Sequence, residues 1–182
     1  MELQTPTCVI RSYRPEDAAS LAANGNNRKV WLNLRDRFPH PFTEADGAGY
    51  ISAVLAQPNP TSFAIAVDGI AVGGISLHLG EDVERFSAEL GYWLGESHWG
   101  RGIMSDAVRA VTRYGLSELG MMRIFALPYT QNAASCRVLE KAGYDREGVL
   151  RCSAFKDGRL LDQYVYATVR PEDRVRGGAS SH

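Results

Sequence analysis

Two glycines alternate in the run Trp99-Gly100-Arg101-Gly102-Ile103, directly after an apolar stretch and directly before a segment of helical periodicity. Such a loop lets successive backbone N–H groups converge on one point, and the helix N-terminus behind it adds partial positive charge. Together they make a pyrophosphate cradle that needs no net basic charge. The run is not a Walker loop, which requires GxxxxGK[ST], nor a dinucleotide fingerprint, which requires GxGxxG. A plain tight turn from strand to helix would use the same two glycines.

One strand and one helix later stand Asn132 and Ser135. Asn132 suits a helix N-cap and Ser135 the first turn. Either they serve the helix alone, or they also present polar groups to a ligand. Glu89 lies inside the apolar run 84–94. A carboxylate there is either paired, for instance with an arginine across the sheet, or functional. Strand alternation puts Glu89, Gly91 and Trp93 on one face and Leu90, Tyr92 and Leu94 on the other. His78, near the end of the neighbouring strand, is a second titratable candidate. Cys136 has no histidine partner in view, so a cysteine nucleophile is not expected.

The elements that must position these residues follow from pattern and punctuation. A short strand is expected over 8–12, then a helix opened by Pro15 with Glu16 and Asp17 in its first turn. The stretch 28–42 reads as irregular and rich in aromatic and basic side chains. Thr43 caps a second helix, stopped by the prolines at 58 and 60. Strands over 62–67 and 70–79 form a hairpin about Asp68-Gly69, and a third covers 84–94. A long helix fills 103–119, with Gly120 at its C-terminus. A strand over 123–127, a helix from Asn132 to about Gly143, and a final strand pair over 144–151 and 159–169 complete the chain. The order β-α-α-β-β-β-α-β-α-β-β is a mixed α/β sheet with helices packed on it.

The run from Glu89 to Tyr144, ELGYWLGESHWGRGIMSDAV through QNAASCRVLEKAGY, resembles the GNAT superfamily of acyl-CoA-dependent N-acyltransferases. More narrowly, it resembles the RimJ/RimL-like branch of ribosomal-protein N-terminal acetyltransferases. The resemblance covers about residues 8–169. It implies a mostly antiparallel twisted sheet, splayed between the fourth and fifth expected strands (84–94 and 123–127), with helices on both faces. It implies acetyl-CoA as co-substrate and a primary amine as acceptor, joined in a ternary complex. Trp99 falls at the family's Gln/Arg position, Gly102 at its glycine, and Met104, a departure, at its Gly/Ala position. The cofactor would rest on Tyr92, Trp93 and Leu94 at the splayed edge, and on His98, Trp99, Gly100, Arg101, Gly102, Ile103 and Met104 at the cradle. Asn132, Ser135, Leu139 and Lys141 would meet it from the next helix. Many relatives place a tyrosine acid seven residues after the asparagine. Leu139 stands there instead, which leaves Ser135 as the nearest hydroxyl.

The chemistry sets its own demands. An amine attacks a thioester only when neutral, and an α-amine near pKa about 8 loses its proton more easily than a lysine near about 10.4. The oxyanion needs donors, which N–H groups on a splayed strand supply. A thiolate of pKa about 8.5 leaves with little acid help. Glu89 is the favoured base, with His78 or water as alternatives. Trp31, Phe38, His40, Tyr50 and His78 are the candidate acceptor wall, with Arg35 and Arg37 placed to greet an acidic acceptor. The aromatics would equally glue a helical cover to the sheet. Two alternatives remain in view: a non-catalytic CoA-binding sensor of the same fold, and an enzyme using a larger acyl group such as succinyl.

Composition narrows the field further. The chain has 182 residues, with 20 Lys+Arg against 21 Asp+Glu and a net charge of -1, so general nucleic-acid binding is not expected. One domain over 1–170 and a mobile tail over 171–182 are expected. The three cysteines and four histidines are scattered, without the spacing of a disulfide framework or a metal site. No leader or membrane span is read, so a reducing, cytoplasmic setting is expected. A homodimer is expected, with an exposed strand at 159–169 as candidate contact.

Overall fold

A computed structural model describes residues 2–170; the expected tail over 171–182 lies outside the described residues. The strands are β1 (Glu2–Gln4), β2 (Val9–Arg11), β3 (Ser62–Val67), β4 (Ile70–Leu79), β5 (Ser87–Leu94), β6 (Arg123–Ala126), β7 (Asp145–Lys156) and β8 (Arg159–Val169). The helices are α1 (Ala18–Gly25), α2 (Arg28–Trp31), α3 (Glu44–Leu55), α4 (Ile103–Ser117) and α5 (Ala133–Lys141). All eight strands form one sheet in the order β1-β2-β3-β4-β5-β6-β8-β7. Every pairing is antiparallel except β5 with β6.

That parallel contact is short. It runs only from Ser87 opposite Arg123 to Glu89 opposite Phe125. β5 continues to Leu94 along β4, while the chain after β6 turns toward β8. Pro128 has no N–H to continue a ladder. Its carbonyl accepts from Tyr164 N at 3.0 Å, and Gln163 Nε2 donates to the Leu127 carbonyl at 2.8 Å. The sheet therefore splays where expected, leaving one side of the backbone beyond Glu89 unpaired by β6.

The two faces carry separate cores. α4 and α5 bury Ile103, Ala107, Val108, Val111 and Leu139 against Ile75, Leu77, Leu90 and Ile124. α1 and α3 bury Leu21, Ile51 and Val54 with Tyr13, Ala64 and Ala71 on the opposite face. α3 starts at a capping box in which Thr43 Oγ1 accepts from Asp46 N at 3.2 Å and Asp46 accepts from Thr43 N at 2.8 Å.

Three expectations need correction. β1 is an added strand, too short and polar to show a pattern. α2 lies in the stretch read as irregular; Asn27 Oδ1 caps it, accepting from Lys29 N at 2.8 Å. The sheet's edge strands are β1 and β7, not 159–169, because β8 lies between β6 and β7.

A buried ion pair ties the first connection down. Arg11 grips Asp17 through two bonds of 2.7 and 2.8 Å, with both side chains only 6% exposed. Burial opposes the Asp17 charge, but Arg11 and the Arg14 amide outweigh it and hold the carboxyl below its usual range. A folded pKa below the unfolded one gives stability that is present above the unfolded value and lost as pH falls through the folded value. Asp17→Asn should leave Arg11 buried without a charge partner and cost about 3 kcal/mol. Urea unfolding at neutral pH would show this as a lower midpoint at unchanged slope.

Candidate active site

An open cleft of about 1520 Å³ runs through the splay, lined from both ends of the molecule. That is larger than a site for one drug-sized molecule, which takes up to about 1,000 Å³. At one end is the loop leading into α4. Trp99 Nε1 donates to the Leu94 carbonyl at 2.8 Å and ties this loop to the end of β5. Gly100 and Gly102 have φ of +74° and +81°, in the left-handed region, and open space surrounds the position of a Cβ at each. Gly102 is the N-cap of α4 and offers no side-chain cap, so the first N–H groups of the helix are left to a ligand or solvent. An uncapped helix N-terminus behind an open, glycine-lined turn fits an anionic phosphate group. Arg101 Nη1 lies 3.4 Å from His98 Nδ1. Partial burial, then the Arg101 charge, push His98 below its ordinary value.

Ile103, Met104 and Leu94 line the cleft but bury their side chains in the core, so their backbones are what they offer. Leu139 is 0% exposed. It packs wholly within the core and is not on the cleft wall, contrary to its expected place. Lys141 reaches the wall, and so does Arg137, which sequence reading passed over.

In the middle of the splay, α5 meets β5. Asn132 Oδ1 accepts from Ser135 N at 3.1 Å, so the asparagine does cap the helix. Ser135 Oγ lies 2.7 Å from the Tyr92 hydroxyl. Burial pushes the Tyr92 phenol well above its ordinary value. The sequence placed Tyr92 on this face of β5 by alternation, but its partner, 43 residues away, had no local signal.

At the other end stand Glu89 and His78, directly opposite each other across β5 and β4. Arg35 pairs with Glu89. Arg37 Nη2 and Ser76 Oγ approach His78 Nε2 at 3.0 and 3.1 Å. A guanidinium only donates, so Nε2 is an acceptor here and the ring proton sits on Nδ1. Burial, then Arg37, lower the His78 pKa against the opposing charge of Glu89, which favours the neutral ring. The arginine pairing weighed for Glu89 is thus present, though from the α2–α3 connection rather than the sheet.

Phe38 and Tyr50 line this end of the cleft. Phe38 stacks on Phe42 at 4.4 Å and meets Trp93 edge-on at 5.4 Å. Trp93 therefore faces the acceptor side, while Tyr92 and Leu94 face α4 and α5. Trp31 and His40 do not line the cleft. They stack on each other at 5.7 Å, and Lys156 Nζ sits 3.6 Å from the Trp31 ring centre. An aromatic-cationic contact with the β7–β8 hairpin draws them away. Among the described residues, no group of three or more His, Cys, Asp or Glu could hold a metal ion, and no helix is long and apolar enough to cross a membrane.

A fold splayed around a cleft, with a glycine cradle on one side and titratable groups on the other, defines a class of acyltransferase. Residues 8–145 match the model of the acetyltransferase (GNAT) domain. The chain belongs to this family and is an N-acetyltransferase by that membership. It is 29% identical over 178 residues to the uncharacterized N-acetyltransferase p20 of Bacillus licheniformis, covering 93% of this chain and 97% of that one. It is 32% identical over 108 residues to the ribosomal-protein-serine acetyltransferase of Escherichia coli, covering 59% of each. Among solved structures, the ribosomal L7/L12 α-N-protein acetyltransferase RimL in complex with coenzyme A shares the fold, with a TM-score of 0.82 at 20% identity over 93% of this chain and 98% of that one.

Proposed function

We propose that this protein transfers the acetyl group of acetyl-CoA directly to a primary amine within a ternary complex, and that the preferred amine is the α-amine of a polypeptide. The observation that carries this reading is that one continuous cleft is lined by the Gly100–Gly102 cradle, by Ser135 and by the Glu89–His78 pair. Gly100, Gly102 and the first turn of α4 would hold the pyrophosphate, with Arg101, Arg137 and Lys141 adding charge. When bound, acetyl-CoA supplies the activated acyl thioester. The unpaired edge of β5 offers backbone N–H groups to an oxyanion. Glu89 Oε takes the amine proton, and Ser135 Oγ donates toward the leaving sulfur.

The preference for an α-amine rests on two points: its proton is lost more readily than that of a lysine, and the relatives include enzymes whose names place them on ribosomal proteins. The three free cysteines suit a reducing cytoplasm. We further propose a homodimer formed through the β7 edge, where Val149, Leu150 and Phe155 are exposed beside Leu160 of β8. Light scattering across a dilution series should give twice the chain mass; a monomer at tens of micromolar (~10⁻⁵ M) would remove this arrangement.

An acceptor screen by mass spectrometry, with acetyl-CoA and succinyl-CoA side by side, tests the reading. The expected result is acetylated peptide α-amine. Acylation by succinyl-CoA alone would overturn the acetyl assignment, and product only with non-peptide amines would overturn the acceptor.

A further inference from the structure

Leu139, seven residues after the Asn132 cap of α5, is sealed in the core and brings no polar group to the cleft. A tyrosine reaches the cleft from another element. Tyr92, on β5 beyond its last pairing with β6, brings its hydroxyl to 2.7 Å from Ser135 Oγ on the first turn of α5. Both residues line the cleft. We propose that Tyr92 is a positioning residue that donates a hydrogen bond to Ser135 Oγ and thereby directs the Ser135 O–H into the cleft, toward the leaving sulfur.

The direction of the bond follows from the two hydroxyls. A phenol is a stronger acid than an alcohol and a poorer acceptor, because its ring draws on the oxygen lone pair. Tyr92 therefore donates and Ser135 accepts. The ionisable groups around the phenol are Tyr144 and Cys136, and burial raises the pKa of both. Among the described residues no cation is found to favour a phenolate, and its own burial favours the protonated form. Tyr92 thus does not pass its proton on. It remains a fixed donor throughout.

Ser135 is held on its main chain as well, since its N–H is bonded to Asn132 Oδ1 at 3.1 Å. With backbone and lone pair both engaged, the remaining Ser135 proton is left to the cleft. Accepting one bond also strengthens the donation of the next. A purely structural link between β5 and α5 would need the same contact but would not tune a sulfur in the cleft.

This inference rests on the coenzyme A reading above, so its test separates the two. The thiol pKa of coenzyme A bound to the enzyme, without acceptor, can be followed through the ultraviolet absorbance of the thiolate. A donor aimed at sulfur favours the thiolate and lowers that pKa. Tyr92→Phe removes only the hydroxyl; Tyr92→Met serves if the phenylalanine variant does not fold. Tyr92→Phe and Ser135→Ala should each raise the bound thiol pKa by about half a pH unit or more, and the double variant should do no more than Ser135→Ala alone. Tyr92→Phe should also lower kcat about five- to ten-fold, less with an acetyl thioester of a more acidic thiol. A normal thiol pKa in Tyr92→Phe beside a raised one in Ser135→Ala would overturn the role of Tyr92 while leaving the coenzyme reading intact. No change in either variant would overturn it too. Failure of the wild-type protein to bind coenzyme A would overturn both.

Discussion

Glu89→Gln should lower the rate of acetyl transfer at saturating acetyl-CoA by about ten- to a thousand-fold, overlapping the lower part of the usual range of about 10²–10⁴ for a general base and reaching a decade below it. The acceptor amine must lose a proton beside the thioester. Glu89 is the last residue of β5 paired to β6, so its carboxylate stands at the point where the sheet opens. It faces the acceptor side, opposite His78. His78 is the rival base, but its Nε2 lone pair is already approached by Arg37 and Ser76. Loss of folding would not obscure the result. The Arg35–Glu89 pair is 54% and 24% exposed, and such a pair contributes about 0–1 kcal/mol. Affinity for coenzyme A should hardly move, because the cradle lies at the other end of the cleft. Ser135→Ala should cost less than Glu89→Gln, since a thiolate leaves readily. Full activity of Glu89→Gln at and below neutral pH would make Glu89 only the partner of Arg35 and pass the role to His78 or water.

Gly102→Val should weaken coenzyme A binding about ten- to a hundred-fold, or 1.4–2.8 kcal/mol. A β-branched residue strains the left-handed φ of +81° at this position, at a cost of about 1–2 kcal/mol. Its side chain would also project into the open space that the N-terminus of α4 leaves for an anion. Gly120→Val separates the two effects. Gly120 has φ of +70° and equally open surroundings, but it follows the C-terminus of α4 and does not line the cleft. The control should lose comparable stability and keep its affinity. Calorimetric titration of each folded variant measures the difference; equal affinity in Gly102→Val and wild type would displace the pyrophosphate from this loop.

Much of this architecture is legible in the chain because its signals are local. The two-glycine loop before α4, the cap at Asn132 and the Asp68-Gly69 hairpin turn each depend on residues a few positions apart. The face assignment of Glu89, Gly91 and Trp93 needs only strand alternation. What escaped reading is non-local or too short. β1 has three residues, and α2 has four within a stretch dominated by aromatic and basic side chains. β7 runs to Lys156 rather than ending near 151, because its exposed residues give no apolar alternation. Composition showed that Trp31 and His40 were available for a wall, but not that Lys156, more than a hundred residues later, would hold Trp31 outside the cleft. The Tyr92–Ser135 contact joins two elements whose separate patterns were clear and whose meeting point was not.

The central claim is transfer of an acetyl group to an amine, and acceptor-dependent release of free coenzyme A thiol measures it most directly. Wild-type protein should release thiol from acetyl-CoA, above the rate of hydrolysis without acceptor, when given peptides with a free α-amine, and one acetyl group should appear on the peptide for each thiol released. Tight binding of coenzyme A with no acceptor-dependent thiol release across peptides and small amines would contradict the claim and leave a binding module in its place.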